Sequence, residues 1–252
     1  MNAEAKSPID LNPHVDFAAA RSEMVAKQIR ARGVSSARVL DAMARVPRHE
    51  FVPPESAASA YFDEPLPIGG GQTISQPLMV AVMTDSLALN GSEHLLEIGG
   101  GSGYQAAVLS LLAREVVTVE LQPELARACR QRLRQLGFLN VRVEEGEGSL
   151  GWPASAPYDA ILVSASAPAV PPPLVEQLAE GGRLVVPVGS TEQQDLIRII
   201  KRGGLMAHEK LSACRFVPLL GRYGWPAGAN DSGAAGHGDS HHDTSGHGTP
   251  RE

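Results

Sequence analysis

The chain has 252 residues, 43% of them hydrophobic but only 4% aromatic, so it can bury a sizeable, mainly aliphatic core as one large domain with or without appendages. A formal charge of −6 argues against a nucleic-acid backbone as the partner, and the two cysteines, Cys129 and Cys214, exclude a disulfide framework and suit a reducing, cytoplasmic setting. The opening MNAEAKSPIDLNPHV lacks the apolar run of a secretory leader, and no stretch approaches a membrane span.

Residues 1–17 are expected to be a flexible extension, and helices follow. Met24, Val25, Gln28 and Ile29 share one helical face, and Val39, Leu40, Met43 and Val46 form a second stripe behind a Ser35-Ser36 cap, stopped by Pro47. The segment FVPPESAASAYFDEPLPIGGG is too rich in Pro and Gly for regular elements and reads as a long structured connection, a kind of segment that often carries function. Residues 18–76 are assigned to the same domain as the α/β core expected over 77–226. Pro77 suits a first helical position, with Met79, Val80, Met83 and Leu87 as the buried stripe. Strands are predicted at HLLEIGG, VVTVEL, VRVEEG, DAILVSAS and RLVVPVG, with a final pair at QDLIRIIKR and KLSACRFVPL. Helices are predicted at YQAAVLSLLA, at the stripe Leu125, Cys129, Leu133 and Leu136 closed by Gly137, and at PPLVEQLAEGG. Cys129 on that stripe reads as core. Alternation of this kind means a doubly wound, mostly parallel, seven-stranded α/β sheet with helices on both faces. Residues 227–252 are Gly, Ser, Asp and His with almost nothing apolar, and are expected to be a disordered tail; its His237, His241, His242 and His247 allow only weak metal binding.

LLEIGGGSGY runs from strand to glycine-rich turn to helix, where sheets of this class bind ligands. Gly99, Gly101 and Gly103 remove Cβ atoms so that ligand and backbone can touch. Read as Gly101-x-Gly103-x-x-Ala106, the stretch also satisfies a relaxed dinucleotide fingerprint, which keeps a nicotinamide enzyme as a rival. Glu120 closes the next strand, where a carboxylate can accept from both ribose hydroxyls. Glu147, beside Gly148 after the third strand, could accept from an exocyclic adenine amine. With Glu97 this puts an acid at each of three successive strand ends. Acids crowding the crevice suit a ligand without phosphates that carries positive charge, and S-adenosylmethionine is such a ligand.

LEIGGGSGY with Glu120 resembles the class I methyltransferase fold in general. RVPRHEFVP, AYFDEPLPIGGGQTISQP, APYDAILVSAS, QLAEGGRLVVPVG and RFVPL, in that order over about residues 20 to 220, resemble the protein-L-isoaspartate O-methyltransferase family, with QTISQP the diagnostic block. The resemblance implies methyl transfer from S-adenosylmethionine to the free α-carboxylate of isoaspartyl residues in damaged proteins and peptides, by a monomer that binds neither nucleic acid nor membrane. It aligns Ser75 with the active-site serine, Thr73 and Ile74 with the substrate and cofactor loop, Gly99, Gly101 and Gly103 with the cofactor turn, and Glu120 with the ribose-binding acid. Three positions depart from the family pattern: Gly100 stands for a common threonine, Glu147 for aspartate, and Ser149 for a residue that is often aromatic or polar. The extra methylene moves the Glu147 carboxylate by about 1.5 Å, one carbon–carbon bond, and weaker cofactor binding is the expectation.

The chemistry of the residues agrees. GGGQTISQP carries no charge, and a carboxylate nucleophile needs none. It is already ionised at neutral pH, so no general base is required, and a lysine or arginine beside it would hold back its electrons. Thr73 and Ser75, next to the helix opened by Pro77, can supply neutral donors and a mild positive field. Without the resemblance, an ordinary helix cap is the alternative reading of Ser75. Arg48 and Arg215 could help hold substrate, but read as surface or salt-bridge residues. Two other readings stay open: a carboxyl methyltransferase diverged to a small molecule, and a cofactor-binding module without catalysis. Amino methylation of bases is disfavoured because VSASAP follows the fourth strand in place of an Asn/Asp-Pro-Pro-aromatic cluster.

Overall fold

The computed structural model describes residues 15–228; the four tail histidines and most of the two expected terminal segments lie outside that range. The core is a seven-stranded sheet built from β3 (His94–Ile98), β4 (Glu115–Glu120), β5 (Val141–Glu145), β6 (Tyr158–Val163), β7 (Leu178–Gly189), β8 (Gln194–Arg202) and β9 (Leu205–Cys214). Its order is β5-β4-β3-β6-β7-β8-β9. The first five strands run parallel, and β8 and β9 add antiparallel at one edge. The central strands are apolar on both faces because helices cover both faces. Leu95, Leu96 and Ile98 of β3 and Ile161, Leu162 and Val163 of β6 are all buried. Strand order reverses between β3 and β6, which opens a crevice at their carboxyl ends.

The helices follow from local sequence. Helix α3 (Pro77–Ser86) starts at a proline, whose missing N–H costs nothing there, and buries Val80 and Met83. Helix α4 (Tyr104–Ser110) is buried along its whole length. Helix α5 (Pro123–Gln135) is amphipathic and turns Ala126, Cys129 and Leu133 into the core, so Cys129 is a core thiol. Helix α2 (Ala37–Arg45) is capped by the Ser36 hydroxyl, which accepts from the Val39 N–H, and it buries Val39, Leu40 and Met43.

Four segments differ from the sequence expectation. The first helix is not uniform: α1 (Phe17–Glu23), capped by Asp16, passes into a π-helical stretch at Met24–Ile29 and a 3₁₀ turn at Arg30–Arg32. The connection before α3 contains a hairpin, β1 (Leu66–Gly69) with β2 (Gln72–Ile74), whose turn needs the glycines because Gly69, Gly70 and Gly71 all have positive φ. The helix expected at PPLVEQLAEGG is only α6 (Pro172–Glu176). Pairing of Leu178 with Tyr158 draws the rest into β7, so sheet hydrogen bonding wins over local helix preference. RFVPL continues no strand: after Cys214 the chain leaves the sheet and crosses back over its carboxyl ends, where the Leu219 N–H donates to the Ser166 carbonyl at 2.7 Å.

Arg48 is fully buried, contrary to its reading as a surface or salt-bridge residue. Its Nε donates to the Ala60 carbonyl at 2.7 Å and its guanidinium lies 4.8 Å above the Tyr104 ring. It is structural, joining the connection to α4. Among the described residues no helix is long and apolar enough to cross a membrane.

Candidate active site

The chain leaves β3 at Ile98 and turns through Gly99 to Gly103 into α4. Gly99, Gly101 and Gly103 have φ of 90°, 51° and 90°, a region that side chains seldom adopt. Glu120 at the end of β4 binds this turn: its Oε2 accepts from the Gly101 N–H at 2.8 Å, and its Oε1 from the Gln122 N–H at 2.9 Å. Each oxygen keeps a lone pair for a ligand hydroxyl. The hairpin covers the turn so closely that a Cβ on Gly101 would lie 3.3 Å from Ile68 Cδ1.

These elements enclose a pocket lined by Thr73, Ile74 and Ser75 on one side and by the glycine turn, Glu120 and Gly148 on the other. Its lining holds one carboxylate, that of Glu120, and no lysine, arginine or histidine. That lining, with one acid and no cationic side chain, fits a cationic ligand with a ribose better than it fits a dinucleotide. Gln105, Ser102, Gln122 and Ser164 add neutral polar groups that the sequence reading did not single out. Gln105 had a visible signal, as the lone amide in the apolar helix YQAAVLS; Ser164 and Leu219 had none, because only the fold brings them to the turn.

A broader cleft, with a cavity volume of about 670 Å³, adjoins the pocket. Thr73, Ser75, Ser164, Val217 and Pro218 line both. Ser75 therefore stands where the two spaces meet. It is not a helix cap: Asp63 Oδ1 accepts from the Leu78 N–H of α3 at 3.1 Å, and the cap position is Gln76. Neither space is lined by a histidine that could make Ser75 a covalent nucleophile. The exposed Arg215 and Glu192 lie on the rim of the cleft. Cys214 also faces it, but burial pushes this thiol up to about 11 and that of Cys129 up to about 12, so neither is a thiolate at neutral pH.

Of the three strand-end acids, only Glu120 reaches the pocket. Glu97 lies wholly buried behind the turn and is absent from the lining. Burial pushes its carboxyl up to about 8, the Thr118 hydroxyl opposes the rise, and the charge of Glu120 adds to it. Glu147 points away from the pocket, toward the C-terminal segment: its Oε1 accepts from the Ser149 hydroxyl at 2.5 Å and from the Arg222 N–H at 2.6 Å. The hydroxyl of Ser149, then the Arg222 N–H, hold its carboxyl below the usual range. Gly148 forms the pocket floor, where a Cβ would lie 2.3 Å from Ile98 Cγ2.

A parallel sheet with a glycine turn after its first central strand, an acid closing the next, and an uncharged loop over both defines a class I methyltransferase. Within that class the assignment is specific: a profile of the family Protein-L-isoaspartate(D-aspartate) O-methyltransferase (PCMT) matches residues 19–224, and the chain belongs to this family. It is 54% identical over 212 residues to a protein-L-isoaspartate O-methyltransferase of Geobacter metallireducens, covering 84% of this chain and 98% of that one. It is 52% identical over 205 residues to one of Methanoculleus marisnigri, covering 81% and 93%. Among solved structures, a protein-L-isoaspartate O-methyltransferase superposes with a TM-score of 0.72 at 30% identity, covering 81% of this chain and 67% of that one. A Plasmodium falciparum protein described as a putative protein-L-isoaspartate O-methyltransferase, solved with S-adenosyl-L-homocysteine, gives a TM-score of 0.69 at 25% identity, covering 79% of this chain and 98% of that one.

Proposed function

We infer that the chain is an S-adenosylmethionine-dependent protein carboxyl O-methyltransferase that methylates the free α-carboxylate of L-isoaspartyl residues in damaged proteins and peptides. The neighbouring backbone amide nitrogen then attacks the ester carbonyl and methanol leaves with the amide proton, closing a succinimide whose hydrolysis returns part of the damage to normal aspartate. The observation that carries the reading is the position of the uncharged loop, with Thr73 and Ser75 lining both a pocket without cationic side chains and an adjoining cleft.

Glu120 would hold the ribose, and Gly99, Gly101 and Gly103 would let the donor lie against the backbone. Bound S-adenosylmethionine supplies a sulfonium methyl group that an ionised carboxylate takes without any proton being moved. The chain's own task is alignment, a proximity effect. Ser75 would donate to the substrate carboxylate from the boundary of the two spaces, with Thr73 beside it and Ile74, itself buried, fixing the loop. Glu97 and Glu147 would support the site from behind its walls. The same reading places the protein in the cytoplasm as a monomer, with Cys129 and Cys214 kept as free thiols.

The test uses the purified full chain, methyl-labelled S-adenosylmethionine and a matched pair of peptides, one isoaspartyl and one aspartyl. Base-labile label in the isoaspartyl peptide alone is the expected result. Label in neither, with the donor bound, would reject this substrate in favour of a small-molecule carboxylate or a binding role.

A further inference from the structure

The segment that follows β9 has little regular structure of its own, yet it forms a wall of the cofactor pocket. Val217, Pro218, Leu219 and Leu220 line the pocket, and Leu219 is buried beside Gly148 and Ile98. Beyond them the chain closes a tight turn in which the Trp225 N–H donates to the Leu219 carbonyl at 2.7 Å and the Gly221 N–H to the Trp225 carbonyl at 3.0 Å. The turn starts from Leu219, whose N–H is held by the Ser166 carbonyl, and its far side is attached to the body of the protein through two successive backbone amides. The Arg222 N–H donates to Glu147 Oε1 at 2.6 Å, and the Tyr223 N–H donates to Ser149 Oγ at 3.1 Å. Ser149, fully buried, returns its own hydroxyl proton to Glu147 Oε1 at 2.5 Å.

We propose that Glu147 and Ser149 are a positioning pair for cofactor binding, acting by clamping the 217–225 segment as the pocket wall and not by touching the ligand. The inference rests on the reading of this pocket as the S-adenosylmethionine site. Three features of the geometry carry it. The carboxylate accepts two charge-assisted bonds at one oxygen, the strongest hydrogen-bond type open to a neutral hydroxyl and an amide. The approach is close, since a Cβ on Gly221 would lie 2.5 Å from Glu147 Oε1, and Gly221 has a φ of 140°. The two residues also depend on each other, because Ser149 both donates to the carboxylate and accepts from the next amide. A shorter aspartate would not span this gap from the same backbone position. The added methylene that looks like a handicap for an adenine contact thus becomes the reach needed for the clamp.

The test measures binding of S-adenosylhomocysteine, and of its analogue with hydrogen in place of the 6-amino group, to the full chain and to Glu147→Ala, Ser149→Ala, the double variant and Glu147→Gln. Amide hydrogen exchange at Arg222 and Tyr223 is followed without ligand. Each single alanine variant is expected to weaken both ligands equally, on the order of tenfold, the double variant no further, with exchange at the two amides accelerated. Glu147→Gln, which keeps an acceptor, should recover most of the loss, and kcat at saturating donor should stay within about twofold in every variant. A loss confined to the ligand with its 6-amino group would overturn the proposal, because Glu147 would then touch adenine. Unchanged exchange at Arg222 and Tyr223 would overturn it too. Failure of the unaltered chain to bind either ligand would overturn the pocket reading and the clamp's role with it, whereas the exchange result reports on the clamp alone.

Discussion

Gln122 Nε2 donates to the Gly70 carbonyl at 2.9 Å and so fastens the turn of the β1–β2 hairpin to the loop that follows β4. The contact is close: a Cβ on Gly70 would lie 2.2 Å from Gln122 Oε1. The backbone N–H of the same residue donates to Glu120 Oε1, so one glutamine joins the cover of the pocket to its acid. An exposed hydrogen bond of this kind contributes about 1 kcal/mol, enough to bias a flap without holding the fold. Gln122→Ala should leave the unfolding midpoint nearly unchanged and speed release of S-adenosylhomocysteine about fivefold. Stopped-flow dissociation checks this, and an unchanged rate would mean that the hairpin is held by Ile68 and Leu66 alone.

Ser75 and Thr73 separate two ways of handling a carboxylate. The substrate charge disappears as the methyl group is transferred, so a donor that binds the charge tightly stabilises the starting state more than the transition state. Ser75→Ala should therefore raise KM for an isoaspartyl peptide and lower kcat/KM by about tenfold, leaving donor affinity unchanged. Thr73→Lys places a cation at an exposed rim position of the same loop. It should lower kcat while KM for the peptide stays level or falls. Steady-state kinetics on the two variants decide the matter, and a faster Thr73→Lys enzyme would contradict the argument for neutral donors.

The central sheet was legible because its signals are local and repeated. HLLEI, EVVTVE and YDAILV are apolar runs between turn residues, and the glycine turn after the first of them marks the ligand end. The orientation of the acids was not legible. Glu97, Glu120 and Glu147 occupy similar places in sequence, yet one is buried behind the turn, one faces the pocket, and one faces a segment 75 positions further on. The pleat, the register and a distant chain decide which way a carboxylate points, and a sequence window contains none of these. The hairpin was missed for a related reason: Pro67 and three glycines weaken every local strand signal, and the pair forms through cross-strand bonds. Arg48 was misjudged because its partners, the Ala60 carbonyl and the Tyr104 ring, exist only after folding.

Gly148 gives a packing test of the pocket floor. A Cβ there would meet Ile98 Cγ2 at 2.3 Å and Leu219 Cδ1 at 3.5 Å, and Ile98 is buried at the end of β3. Overpacking of this kind costs about 1–3 kcal/mol. Gly148→Ala should lower the urea midpoint accordingly and weaken S-adenosylhomocysteine binding by displacing Leu219 from the wall. Ile98→Ala in the same chain removes the clashing methyl, so the double variant should be more stable than the sum of the single losses. Strict additivity in the four-way cycle would show that the glycine is not needed for this contact.

Glu97 gives the pH dependence. Its carboxyl is pushed up to about 8 by burial, from an ordinary value of 4.5. Between those values the native state keeps a proton that the unfolded state releases, so folding stability falls as pH rises through the interval and levels off above it. Glu97→Gln removes this titration and resembles the protonated side chain. Relative to the unaltered protein it should gain stability steadily from pH 5 to pH 8.5, as read from urea midpoints at several values between. Other groups titrate in both proteins and cancel in the difference. Because a neutral Glu97 contributes no charge to the pocket, the same variant should bind S-adenosylhomocysteine at pH 7 within about twofold of the original. A large loss of binding with parallel stability profiles would instead make Glu97 an ionised partner of the ligand, and would return it to the place among the crevice acids that its sequence position suggested.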